Sequence, residues 1–200
     1  MNAPVRPGSR QRRGRDLLAS QRGATLIEVL VSVVIVLVAL LGTAGMIARS
    51  GQTEMESYQR GQALTLLQDM VARLNANRQV ISCYASAPNA TVAGSATVPP
   101  AACTVGTDAQ RAVAAADLAS WGAALQGSAE TDGGNKVGAM IGALGCIEAI
   151  DALTQTYRVT VAWQGLAKTG APALPCGQNR FGDDANRRAI SVQVRIGVLS

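Results

Sequence analysis

The chain has 200 residues, with 18 Lys and Arg, 13 Asp and Glu, no His and four Cys. Without histidine, Ser-His-Asp and Cys-His catalysis, His-ligated zinc and an imidazole pH switch are excluded. Cys83, Cys103, Cys146 and Cys176 stand 20, 43 and 30 positions apart, without the close pairs that an all-cysteine zinc site uses, so no metal is expected.

The formal charge of +5 invites a nucleic-acid reading, but its placement opposes one. Residues 1–23 hold Arg6, Arg10, Arg12, Arg13, Arg15 and Arg22 against Asp16 alone, and the remainder balances at 12 basic and 12 acidic residues. A phosphate-binding surface spreads its cations over a folded face; here they sit in a Pro/Gly/Ser/Arg stretch without apolar pattern. No nucleic-acid partner is expected.

Next comes an apolar block in which Val29 to Ala48 runs 20 residues without a charge, enough at ~1.5 Å per residue to cross a ~30 Å hydrocarbon layer. Six arginines precede it and Arg49 closes it. The positive-inside bias therefore puts residues 1–23 in the cytoplasm and the rest outside. An ordinary secretory signal, cut near residues 44–48, fits less well, because its apolar core is shorter. Glu28 interrupts the pattern between Ile27 and Val29. It either snorkels to the near face or meets a partner. A cut between Gly23 and Ala24 creates such a partner, an α-ammonium four residues before Glu28 or on a neighbouring subunit.

The run Arg22-Gly23-Ala24-Thr25-Leu26-Ile27-Glu28-Val29-Leu30-Val31 resembles the type III signal of type IV pilins and pseudopilins. That resemblance implies cleavage after Gly23 by a prepilin peptidase, methylation of the new N-terminus at Ala24, and subunit assembly through Glu28. The family's usual Phe is replaced by Ala24, and the Pro of major pilins by Gly45, which suggests a minor subunit. Further along, Leu40-Leu41-Gly42-Thr43-Ala44-Gly45, Tyr58-Gln59-Arg60, Asp69-Met70 and Arg73-Leu74-Asn75-Ala76-Asn77-Arg78 resemble PilV-type minor pilins. The likeness covers the first 80 residues and is weak beyond.

Helical periodicity continues past the apolar run, with Ala63, Leu67, Met70 or Val71, and Leu74 on one stripe, so a single helix is expected from Ala24 to about Arg78. Four segments are expected: a removed leader 1–23, a transmembrane and assembly helix 24–48, its amphipathic continuation 49–81, and a head 82–200. In the head, residues 82–107 read as a Pro-rich loop. A second helix at about 108–126 has Asp108 as its cap and Val113, Leu118, Trp121 and Leu125 on its apolar face. Strands are expected at about 146–150, 157–163 and 189–198 from their alternation. The polar loop between the last two reads as variable surface, and Asp183-Asp184 as a solvated turn rather than a cation site. The fold class is α+β, a long N-terminal helix packed on a small antiparallel sheet, pilin-like.

Outside the cytoplasm, four cysteines read as two disulfides. Of three possible connectivities, Cys83 with Cys103 and Cys146 with Cys176 is favoured. No phosphate loop, acid pair or nucleophile motif is present, so neither an enzyme nor a cofactor is expected. The reading is a minor pilin that helps to start or cap a type IV pilus. Its partners are prepilin peptidase and other pilins, and its place is the inner membrane, then the pilus at the cell surface. The alternatives are a type II secretion pseudopilin and an uncleaved single-pass protein with a periplasmic sensor or binding head.

Overall fold

A computed structural model describes residues 23–86, 93–94, 103–128, 131–133, 135–136, 138 and 140–197. The leader up to residue 22, most of the Pro-rich loop and the expected strand end at 198 lie outside the described residues. The chain divides into two compact units, Met1–Met46 and Ile47–Ser200.

Helix α1 runs Leu26–Ala76, two residues shorter at each end than the periodicity suggests. Thr25 accepts the first helical N–H groups. At the other end Asn77 turns its amide to the Tyr84 hydroxyl and the Gln110 carbonyl, and a 3-10 turn, Arg78–Cys83, follows. In the first unit every described side chain of α1 is exposed, Leu26 to 89% and Leu41 to 75%. β-Branched residues fill this stretch although they weaken helices in water. That preference yields in an apolar surrounding, where the helix pairs every backbone group internally.

In the second unit α1 buries Gln59, Ala63, Leu67, Met70 and Leu74, spaced three and four apart. They pack against a four-stranded antiparallel sheet, in the order β1 (Ala93–Gly94), β4 (Ile141–Asp151), β5 (Thr156–Gln164), β6 (Arg187–Arg195). A separate two-residue pair joins β2 (Thr131–Asp132) to β3 (Asn135–Lys136). Tyr157, Val159, Val161 and Trp163 of β5 face the core with Ile147 and Ile196.

Helix α2, Asp108–Leu125, closes the core with Ala114, Leu118, Trp121, Gly122 and Leu125. Two expectations are corrected here. The cap is Thr107, not Asp108: its hydroxyl accepts from the Gln110 N–H while the Gln110 side chain accepts from the Thr107 N–H, a capping box. The apolar face carries Ala114 in place of Val113, which is half exposed. Trp121 needs that rotation, since its Nε1 donates to the Leu66 carbonyl of α1 at 2.9 Å and its ring fills the space above Gly145.

The loop between β5 and β6 is mostly exposed, and Cys176 ties it to the sheet's second face, where Leu144, Cys146, Ala162 and Cys176 form a buried cluster flanked by Phe181 and Ala189. Strict alternation predicts an outward, wet Thr160 and Ala162, yet both are buried.

Candidate functional site: the helix start and what anchors it

Gly23, Ala24 and Thr25 precede the helix and are exposed. A Cβ built on Gly23 meets nothing within 4 Å. Packing among the described residues therefore imposes no need for glycine there. The Glu28 N–H bonds to the Thr25 carbonyl at 3.0 Å and lies 3.4 Å from the Thr25 hydroxyl, a long contact. Thr25-x-x-Glu28 is thus a helix start, and the acid sits in the first turn, where the unpaired N–H groups favour negative charge. The spacing Thr25 to Glu28 was open to reading as a cap from the sequence. Beyond it, α1 is long and apolar enough to cross a membrane, with none of that stretch buried by the chain itself.

Residues 18–44 match the family model described as "Prokaryotic N-terminal methylation motif". The chain is prepilin-like. Its motif is of the type IV pilin and pseudopilin kind and implies processing by prepilin peptidase, and proteins of this kind are typically structural rather than enzymatic. No curated protein and no solved structure matches the chain.

In the second unit this prepilin-like chain holds α1 with polar contacts that the periodicity does not reveal. The fully buried Gln59 accepts from Trp163 Nε1 at 3.2 Å. Glu56 Oε1 accepts from Arg188 Nη2 at 2.9 Å, and the same Nη2 reaches the Ala167 carbonyl at 2.7 Å. About four turns beyond Gln59, Arg73 bridges Asp69 at 2.9 Å and Asp117 of α2 at 2.8 Å. The buried Tyr84 hydroxyl donates to the other Asp117 oxygen at 2.6 Å. Burial first, then this bond to a carboxylate, pushes the Tyr84 hydroxyl well above its usual range, so it stays a donor. The hydrogen bond to Asp69 holds Arg73 more firmly protonated.

Both disulfides are present, Cys83–Cys103 and Cys146–Cys176, with Cα separations of 5.2 and 5.9 Å. Loops of 20 and 30 residues each add roughly 3 kcal/mol by restricting the unfolded chain. Asp183 and Asp184 are each engaged by a cation. Asp183 pairs with Lys168 at 2.8 Å and Asp184 with Arg187 at 2.7 Å, and these hydrogen bonds hold both carboxyl groups below the usual value. Among the described residues no cluster of three or more Cys, Asp and Glu is placed to hold a metal.

Proposed function

We propose that this chain is a minor pilin of a type IV pilus, cut between Gly23 and Ala24 by prepilin peptidase and methylated on Ala24. It waits in the inner membrane with its N-terminus in the cytoplasm and its second unit in the periplasm. It then enters the pilus through the apolar part of α1, helping to start or cap assembly, and performs no catalysis of its own. The observation that carries the reading is the apolar start of α1, free of charge from Val29 to Ala48 and left bare by the described residues, which begins within the N-methylation motif matched at residues 18–44. Arginines before the apolar run support the orientation, and two disulfides in the second unit agree with an oxidising compartment. The minor-pilin-like residues from Tyr58 to Arg78 favour this assignment over a secretion pseudopilin.

In this reading Glu28 serves assembly: after cleavage its carboxylate accepts the N-terminal ammonium of a neighbouring subunit and sets the axial register. Glu28→Val tests this. The variant should still insert and be cut, because the cut site is unchanged. It should fail to co-purify with sheared pili and with other minor pilins at matched membrane levels, since an unmatched ammonium is left buried at each contact. Recovery equal to wild type would mean that Glu28 serves only its own helix start, as a first-turn acid beside Thr25.

A further inference from the structure

Residues 165–186 are fastened over the second face of the sheet by two independent devices. One is the Cys146–Cys176 bond, with both cysteines fully buried. The other is Arg187, the first residue of β6, whose side chain is 1% exposed. A guanidinium has five N–H donors, and all five are used. Nε and Nη2 hold the two Asp184 oxygens, each at 2.7 Å. Nη1 donates to the carbonyls of Leu174 and Cys176, and Nη2 to that of Pro172. Three of the five bonds therefore fix the backbone of 172–176, and one of them fixes Cys176 through an atom that plays no part in the disulfide.

Arg187 also belongs to the sheet. It pairs with Gln164 in register, while Cys146 pairs with Thr160 four residues earlier on the same strand. Positions an even number apart share a face. The arginine that grips Cys176 and the cysteine that bonds to it are thus displayed on one face by pairings that need no disulfide. Cys176 Sγ lies 3.9 Å from the Thr160 carbonyl, beside Cys146.

We propose that Arg187 is a positioning residue for oxidation. With Asp184 it assembles residues 172–176 on the sheet while the cysteines are still thiols, and so speeds formation of Cys146–Cys176. The chemistry is thiol–disulfide exchange with a disulfide oxidant. One cysteine thiolate attacks the oxidant's disulfide and releases a thiol; the second cysteine then attacks the mixed disulfide and releases the other. Two cysteine thiols lose two protons and two electrons, and the oxidant's disulfide becomes two thiols. The inference stands whether or not the chain enters a pilus.

The test uses the full chain in detergent, reduced and then reoxidised with glutathione disulfide, quenched by alkylation and mapped by mass spectrometry. Wild type should form Cys146–Cys176 and Cys83–Cys103 almost alone. In Arg187→Leu, Cys83–Cys103, away from the clamp, should still form at the wild-type rate, whereas Cys146–Cys176 should form several-fold more slowly, leaving Cys146 and Cys176 alkylated at early quench times. A Cys146→Ser, Cys176→Ser double variant retains Arg187, so trypsin should cut it at Lys168 and Arg180 within about threefold of the wild-type rate. Formation of Cys146–Cys176 at the wild-type rate in Arg187→Leu would overturn the proposal. So would cleavage of the double-serine variant as fast as that of Arg187→Leu. Where Arg187→Leu loses both disulfides, its fold is lost and the protease resistance of the double-serine variant decides alone.

Discussion

Gly145 and Trp121 are 24 positions apart, and neither accounts for itself alone. A Cβ on Gly145 would lie 2.2 Å from the Trp121 ring, and the indole N–H is already committed to Leu66, so the ring has no free direction to retreat. Gly145→Val should cost roughly 2 to 3 kcal/mol by overpacking, read as a lower urea midpoint with a changed tryptophan emission; an unchanged midpoint would show that the ring moves freely. Trp121 is legible in the sequence as a packing residue because it falls on an apolar helical stripe. Gly145 is not, because its reason is a contact from a distant element. Arg187 is hidden similarly, since an arginine opening a strand looks like a solvated end until the carbonyls around it are known. Its partner Asp184 has a folded pKa depressed by that hydrogen bond. The stabilisation is therefore complete above the ordinary carboxylate value of 3.8 and disappears as the pH falls through the lower folded value. Trypsin is inactive at that pH, but pepsin is not: cleavage within 165–186 should rise below pH 3.8 in wild type, with little further rise in Arg187→Leu, where the bond is already gone.

The elements were legible where a period ran long enough to repeat. Helix α1 shows its stripe over four positions from Ala63 to Leu74, and β5 alternates through Tyr157, Val159, Val161 and Trp163. Errors arise at ends and at second faces. Strand β4 starts at Ile141, five residues before the expected Cys146, because Gly142 and a register shift interrupt its alternation. Helix α2 starts as expected but with a different cap, Asp108 being the more obvious acid and Thr107 the residue with a reciprocal partner at Gln110. Thr107→Ala should cost about 1 kcal/mol of stability, and Asp108→Ala distinctly less, in denaturant unfolding of the detergent-solubilised chain. The reverse order would restore Asp108 as the cap. The 165–186 loop is legible as surface and, through its cysteine, as tied to the sheet, but the arginine clamp is not. Its polar composition reports what faces water, whereas its attachment depends on Cys176 and on a single arginine outside it.

At the scale of the whole molecule, the two units obey different rules. The second is a self-sufficient core, with its own helix–sheet packing, polar ties to α1 and two disulfides. The first leaves its apolar helix bare among the described residues, and under the proposed function what covers it is lipid and then other subunits. Its sequence was the most readable part, since charge asymmetry, an uninterrupted apolar run and Gly23 ahead of Glu28 are local signals that need no tertiary structure. The claim that joins the two units is that the chain is a processed pilin precursor. It is tested most directly by the N-terminus of the membrane-extracted protein from cells containing prepilin peptidase. The account predicts a chain beginning at Ala24 and bearing one methyl group on its α-nitrogen, and an uncut leader in Gly23→Leu. A mature chain beginning at any other residue, or wild-type processing of Gly23→Leu, would contradict it.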